Sequence, residues 1–133
     1  MSNKRDIRLD EFNISDYAYR ELRYFCLQYP EKKKQLKDCY LLSSHGYRGA
    51  PSAGGVSDPT SAMAMKAMKL SESLELIEQT AIAVDSVLYP YIIKNVTTES
   101  EYRALEVPCG RRQFYELRRK FFYLLALKRG LII

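Results

Sequence analysis

A heptad repeat of apolar residues runs through residues 57–88, SDPTSAMAMKAMKLSESLELIEQTAIAVDSVL. Ser57 and Asp58 are favourable N-caps and Pro59 suits a first helical position, so the stretch predicts one long helix over residues 58–89. Such a repeat is typical of a coiled-coil dimer seam or of a seam covered by other helices of the same chain. Two shorter helices earlier in the chain favour the intramolecular seam. The repeat consists of Met63, Ala67, Leu70, Leu74, Ile77, Ala81, Val84 and Leu88.

Apolar residues before this stretch also recur at helical spacing. They predict a first helix over residues 15–28 and a second helix from Pro30, because the residue before a proline disfavours helical geometry. Residues 43–57, SSHGYRGAPSAGGVS, are rich in Gly and Ser and predict a flexible loop. A lysine cluster on the second helix is typical of a solvated face, with phosphate contact as the alternative. The cluster consists of Lys32, Lys33, Lys34 and Lys37.

Three further helices are predicted on the C-terminal side. A short apolar helix follows Pro90, and a capping-box pattern at residues 98–101 opens another helix through Leu105. After a turn, the last helix is predicted over residues 111–128, with Gly130 as its stop signal. No period-two alternation is long enough for a strand. The predicted fold class is therefore all-α: a helical hairpin packed on a long central helix, followed by a C-terminal helix-turn-helix-like unit.

The composition narrows the class of function. The chain has 133 residues with one His and three Cys, and these form neither a metal-ligand spacing nor a catalytic set. No Gly-Lys-Ser/Thr phosphate loop is present. We therefore expect no enzyme, no catalytic or metal-binding residue and no cofactor. No apolar run reaches the roughly 18–20 residues of a membrane span, and residues 1–6 lack the apolar core of a signal peptide, which predicts a cytoplasmic protein without membrane contact.

Positive charge is concentrated near the C-terminus. The formal net charge is +5, and residues 91–133 hold nine Lys and Arg against four Asp and Glu. A basic helix at the end of a near-neutral chain indicates a nucleic-acid footprint, with a solvated helix face as the alternative.

The short helix that ends at Leu105, the turn and the longer basic helix form a helix-turn-helix pattern, in which the second helix enters the major groove of DNA. Arg111 and Arg112 stand at its N-terminal end, where guanidinium groups pair bidentately with guanine. Gln113 and Tyr115 are close enough to add hydrogen bonds or apolar contacts. Basic residues about two turns further on are expected to meet phosphate: Arg118, Arg119 and Lys120.

Three stretches carry a resemblance to a known family: YRELRYFCLQYPEKKKQLKDCYL at 19–41, GGVSDPTSAMAMKAMKL at 54–70, and EYRALEVPCGRRQFYELRRKFFYLLA at 101–126. In this order they resemble the phage late-gene transcription regulators of the RinA and ArpU type, whose C-terminal part is similar to region 4 of sigma factors. The resemblance implies a phage or prophage activator that binds a late-operon promoter in a bacterial host and contacts host RNA polymerase. The sequence departs from the family at Cys109-Gly110, where such helices begin with Ser or Thr.

Two domains are predicted. Residues 1–89 form an N-terminal helical and oligomerisation region that includes the flexible loop 43–57, and residues 90–133 form the DNA-binding region. We expect a homodimer or a higher homo-oligomer that binds double-stranded DNA. One alternative is a phage DNA-packaging module such as a small terminase subunit. The other is a helical adaptor whose basic helix binds an acidic partner protein.

Overall fold

The computed structural model describes residues 13–45 and 59–132, and within these ranges the chain is helical and contains no strand. This confirms the all-α class. By their mutual contacts the described residues group into two compact units, one of residues 13–28 and 76–132 and one of residues 29–45 and 59–75. The helices are α1 (Asp16–Leu27), α2 (Tyr29–His45), α3 (Pro59–Val84), α4 (Tyr89–Thr98), α5 (Tyr102–Leu105) and α6 (Arg111–Lys128).

Local capping chemistry sets the bounds of α1. The Ser15 hydroxyl accepts a hydrogen bond from the backbone N–H of Ala18 at 3.1 Å, which satisfies one of the unpaired donors of the first turn. Gln28 is the C-cap, so the predicted range 15–28 matches the helix together with its two caps. Pro30 then lies in the first turn of α2, where its missing N–H removes no helical hydrogen bond.

The end of α2 differs from the prediction. The helix continues through residues 43–45, which the sequence had assigned to the flexible loop. Serine lowers helix propensity only modestly, and the first glycine, a stronger break signal, comes only at position 46. The rest of the predicted loop, residues 46–57, lies outside the described residues.

The C-terminal end of α3 also corrects the prediction, because the helix ends at Val84 and not at residue 89. The Asp85 carboxylate accepts hydrogen bonds from the backbone N–H groups of Val87 and Leu88, at 2.8 and 2.7 Å. These local bonds offer the backbone an alternative to another helical turn. Leu88 is buried but lies in the turn before α4, so the heptad pattern outlasts the helix.

The predicted capping box at residues 98–101 is wrong. Thr98 is the last residue of α4, and its hydroxyl donates back to the carbonyl of Lys94 at 2.5 Å and not forward into a new helix. Glu99 follows in the left-handed conformation with φ 58°, and its N–H closes α4 on the carbonyl of Asn95 at 3.0 Å. The next helix, α5, therefore begins only at Tyr102 and makes a single turn.

Aromatic residues of α6 fill the core of the larger unit, in which α1, α4 and α6 pack on one another and α5 packs on α4. Phe114, Phe121 and Phe122 are almost completely inaccessible to solvent, and burial of each such side chain contributes about 1.5–3 kcal/mol. Phe122 meets Tyr19 of α1 edge to face, with ring centroids 5.2 Å apart. The helical spacing of α6 predicts an inward stripe, whose residues are all buried except the half-buried Leu124: Phe114, Leu117, Phe121, Leu124 and Leu125.

The heptad residues Leu70, Leu74, Ile77 and Ala81 are buried within the single chain, whereas the repeat members Met63, Ala67 and Val84 are half-buried. None of the helices in the described ranges is both long and apolar enough to span a bilayer.

Candidate nucleic-acid interface

The start of α6 is held by one tyrosine of the preceding helix. The Tyr102 hydroxyl donates a hydrogen bond to the carbonyl of Cys109, and its ring lies 5.7 Å from the ring of Phe114. The Arg111 guanidinium lies over the Tyr102 ring, 5.9 Å from its centroid. Tyr102 therefore fixes both the loop between α5 and α6 and the first turn of α6.

The N-terminus of α6 has no side-chain cap. Gly110 occupies the N-cap in extended conformation (φ −67°, ψ 154°), and because it has no side chain it satisfies none of the first backbone N–H groups. Next to these groups the side chains of Arg111, Arg112 and Gln113 are all exposed. An uncapped helix N-terminus with cationic side chains around it is favourable for an anion such as phosphate.

The remaining predicted site residues have three different environments. Tyr115 is half-buried, with its ring 5.7 Å from that of Phe114 in an edge-to-face arrangement. Lys120 is exposed. Arg119 is buried, with only 8% of its surface accessible, which conflicts with its predicted place on a phosphate-contacting surface.

Arg118 also faces the interior and links three helices. Its Nε donates to Asn95 Oδ1 of α4 at 2.8 Å, and its Nη2 donates to the Tyr19 hydroxyl of α1 at 3.2 Å. The guanidinium lies 4.9 Å from the ring centroid of Phe122, within cation–π range. Asn95 in turn donates from Nδ2 to the carbonyl of Ser100 at 2.8 Å, so the network extends to the segment after α4.

A second arginine, Arg129, fixes the C-terminal end of α6 to α1. The Arg129 guanidinium lies 4.0 Å from the ring centroid of Phe25, and its Nη2 is 3.3 Å from Glu21 Oε1. Both partners belong to α1. The aromatic and acidic residues of α1 were visible in the sequence, but no local pattern pairs them with a residue more than a hundred positions away.

The outward surface of α6 is consequently less basic than its sequence. Beyond the first turn, its exposed residues include Glu116, Lys120 and Lys128, while Arg118 and Arg119 are directed inward. The structure brings Arg111, Arg112 and Gln113 together at one end of the helix. Arg118 and Arg119 project from the helix in nearly the same directions as Arg111 and Arg112, but they lie against other helices and not in solvent.

Two titratable groups beside the turns have shifted pKa values. The backbone N–H groups of Leu88 and Val87 hold the pKa of Asp85 below its ordinary value, because they stabilise the charged carboxylate. Burial raises the pKa of the Cys109 thiol, and the nearby charge of Asp85 acts in the same direction. Cys109 therefore stays protonated at neutral pH, which disfavours a nucleophilic role.

Comparison of the chain with protein-family models, with curated proteins and with solved structures finds no match.

Proposed function

We propose that the chain is a sequence-specific regulator of transcription that binds double-stranded DNA through a helix-turn-helix made by α4, α5 and α6. The observation that supports this most directly is the uncapped first turn of α6, where Arg111, Arg112 and Gln113 are exposed together. An 18-residue helix is long enough to lie in a major groove with its N-terminal residues at the base edges.

The roles within this site differ from those expected from the sequence. Arg111, Arg112 and Gln113 contact base edges or the phosphates beside them, and Lys120 contacts phosphate. Arg118 orients α6 against α1 and α4 and does not touch DNA. The burial of Arg119 argues for the same kind of supporting role. Tyr115 stays in the site as a half-buried side chain at its edge.

The wider proposal follows the resemblance. The protein is a phage or prophage activator of late operon genes that acts in the cytoplasm of a bacterial host and contacts host RNA polymerase. The hairpin of the first two helices on α3 and the division into residues 1–89 and 90–133 stay predictions.

A second candidate function is a helical adaptor that binds an acidic protein. It is favoured by Glu116, which lies on the exposed side of α6 between the first turn and Lys120 and lowers the net charge of that surface. A groove-binding helix gains most from an unbroken basic surface, whereas an acidic partner needs only the basic end.

Selection from a randomised duplex library, followed by titration of the selected duplex at several salt concentrations, tests the proposal. We expect one enriched sequence. We also expect the logarithm of the affinity to fall linearly with the logarithm of the salt concentration, because Lys and Arg side chains that bind phosphate release counterions from DNA. The double variant R111A/R112A should lose this binding. K69A/K128A, which removes two exposed positive charges away from the first turn of α6, is the matched control and should retain it. Absence of enrichment together with binding to an acidic polypeptide would favour the adaptor.

A further inference from the structure

The exposed side of α2 changes in character along the helix. Lys33, Lys37, Tyr40 and Leu41 are spaced so that they share one face, and all are exposed, Tyr40 by 59% and Leu41 by 46%. This stripe, which we call the α2 stripe, is basic at its N-terminal end and apolar at its C-terminal end. At 1.5 Å per residue it is about 12 Å long.

The first half of α3 carries a second exposed stripe with the opposite charge. Met65, Met68, Glu72 and Glu75 lie three to four residues apart on one face, and Met65 and Met68 are exposed by 54% and 56%. This α3 stripe is apolar at its N-terminal end, acidic at its C-terminal end, and about 15 Å long. Methionine is a side chain that adapts to varied partner surfaces.

The two stripes are complementary when their helices run antiparallel. In that orientation Lys33 and Lys37 meet Glu72 and Glu75, while Tyr40 and Leu41 meet the two methionines. The residues of both stripes are exposed in one chain. In this register basic residues face acidic residues and apolar residues face apolar residues. Such complementarity speeds the association of two proteins and fixes the register of their contact.

We propose that the partner of each stripe is the other stripe on a second copy of this chain. In a two-fold symmetric dimer the α2 stripe of one protomer packs on the α3 stripe of its partner, and the contact is repeated by symmetry. The symmetric repeat doubles the surface that a single pair of stripes buries. This surface differs from the heptad seam, because Leu70 and Leu74 of that seam are already buried in one chain. The proposal does not depend on DNA binding.

Exchange of charge between the stripes gives a direct test by sedimentation of the full chain without DNA, over a concentration series. The wild-type chain of 15.5 kDa should sediment as a dimer. K33E/K37E puts Glu on both stripes and E72K/E75K puts Lys on both, so each variant alone should be monomeric. An equimolar mixture of the two variants should form a heterodimer, since each α2 stripe then faces an α3 stripe of opposite charge.

Matched controls separate this result from loss of fold or from net charge. K94E/R103E makes the same charge change at exposed positions outside both stripes and should dimerise like wild type. Circular dichroism should give equal helix content for all variants. Met68→Glu, at a position already exposed in one chain, should give a monomer with an unchanged spectrum.

A wild-type chain that stays monomeric at every concentration would overturn the proposal. So would a mixture of the two charge variants that stays monomeric while each is folded. Arg112→Ala should dimerise fully, and failure of DNA binding in that variant would leave the dimer proposal standing.

Discussion

Two Arg-Arg pairs on α6 lie seven residues apart and have opposite environments. Arg111 and Arg112 are exposed at the first turn, whereas Arg118 bonds across to two other helices and Arg119 is buried. Seven residues are almost two helical turns, so corresponding members of the pairs project in nearly the same directions.

The neighbours of α6 make the difference. At Arg118 the helix faces the side chains of Asn95 and Tyr19, which provide acceptors for a guanidinium. At Arg111 it faces the aromatic ring of Tyr102 beside a short turn, and that side remains open to solvent. Helical direction alone therefore does not tell a binding arginine from a structural one. The role of each arginine depends on its position along the helix axis relative to the helices that pack on α6.

Replacement of the inward arginine should have the largest effect of this comparison. Arg118→Met should lower the free energy of unfolding by about 2–3 kcal/mol, because Asn95 and Tyr19 lose a charged donor in a partly buried site. Urea unfolding followed by circular dichroism measures this loss. Arg111→Met, an equal change at the exposed pair, should cost no more than about 0.5 kcal/mol. Equal losses in the two variants would end the distinction between the pairs.

Arg112→Ala tests whether the exposed pair contacts DNA bases. It should lose about 1–3 kcal/mol of discrimination at one or two base pairs of a selected duplex, because a bidentate guanine contact is removed. Its unfolding curve should match that of wild type. The measurement is a titration on the selected duplex and on single-base variants of it. If the loss is the same on every duplex, Arg112 contacts phosphate and not a base edge.

Lys120 and Arg119 are neighbours in sequence and provide a finer test. Lys120→Ala should reduce the slope of log affinity against log salt by about one, since one phosphate contact is lost. Arg119→Ala should leave that slope unchanged, because a buried side chain releases no counterion. Titrations at several salt concentrations give both slopes. A reduced slope for folded Arg119→Ala would restore the phosphate contact predicted from the sequence.

The smallest effect is expected at an arginine paired on the surface. The hydrogen bond from Arg23 to Glu99 raises the pKa of Arg23, but both side chains remain about half exposed to solvent. Arg23→Ala should therefore cost only about 0–1 kcal/mol, and added salt should reduce the difference. Urea unfolding at low and high salt tests this. A loss of unfolding free energy as large as that of Arg118→Met would show that solvent exposure does not determine the size of these effects.

The sequence predicted those helix ends that depend on local signals. Ser15 and Pro30 bracket α1, and α6 ends as predicted before Gly130, which adopts a left-handed φ of 72°. The end of α3 was missed because the hydrogen bonds of Asp85 stop the helix while the apolar repeat continues to Leu88.

The site was predicted only in part for a different reason. Exposure of Arg111, Arg112 and Gln113 follows from their place at a helix end after Gly110. The inward turn of Arg118 depends on Tyr19, which lies 99 positions earlier in the chain. A single sequence contains both residues but nothing that pairs them, so the sequence predicts a DNA contact for Arg118 as for Arg111 and Arg112.

The contacts between α1 and α6 also impose an order on folding. The hydrogen bonds Arg118–Tyr19 and Arg129–Glu21 span 99 and 108 residues, so the contact between α1 and α6 cannot be complete until synthesis has passed residue 129. Closing so long a loop costs entropy before any contact forms, which slows folding relative to a bundle of sequence neighbours. Until α4 and α6 are both in place, the apolar face of α1, with Leu22 and Phe25, is incompletely covered and can contact other nascent chains. We expect pulsed hydrogen exchange during refolding to protect α1 and α6 in the same phase.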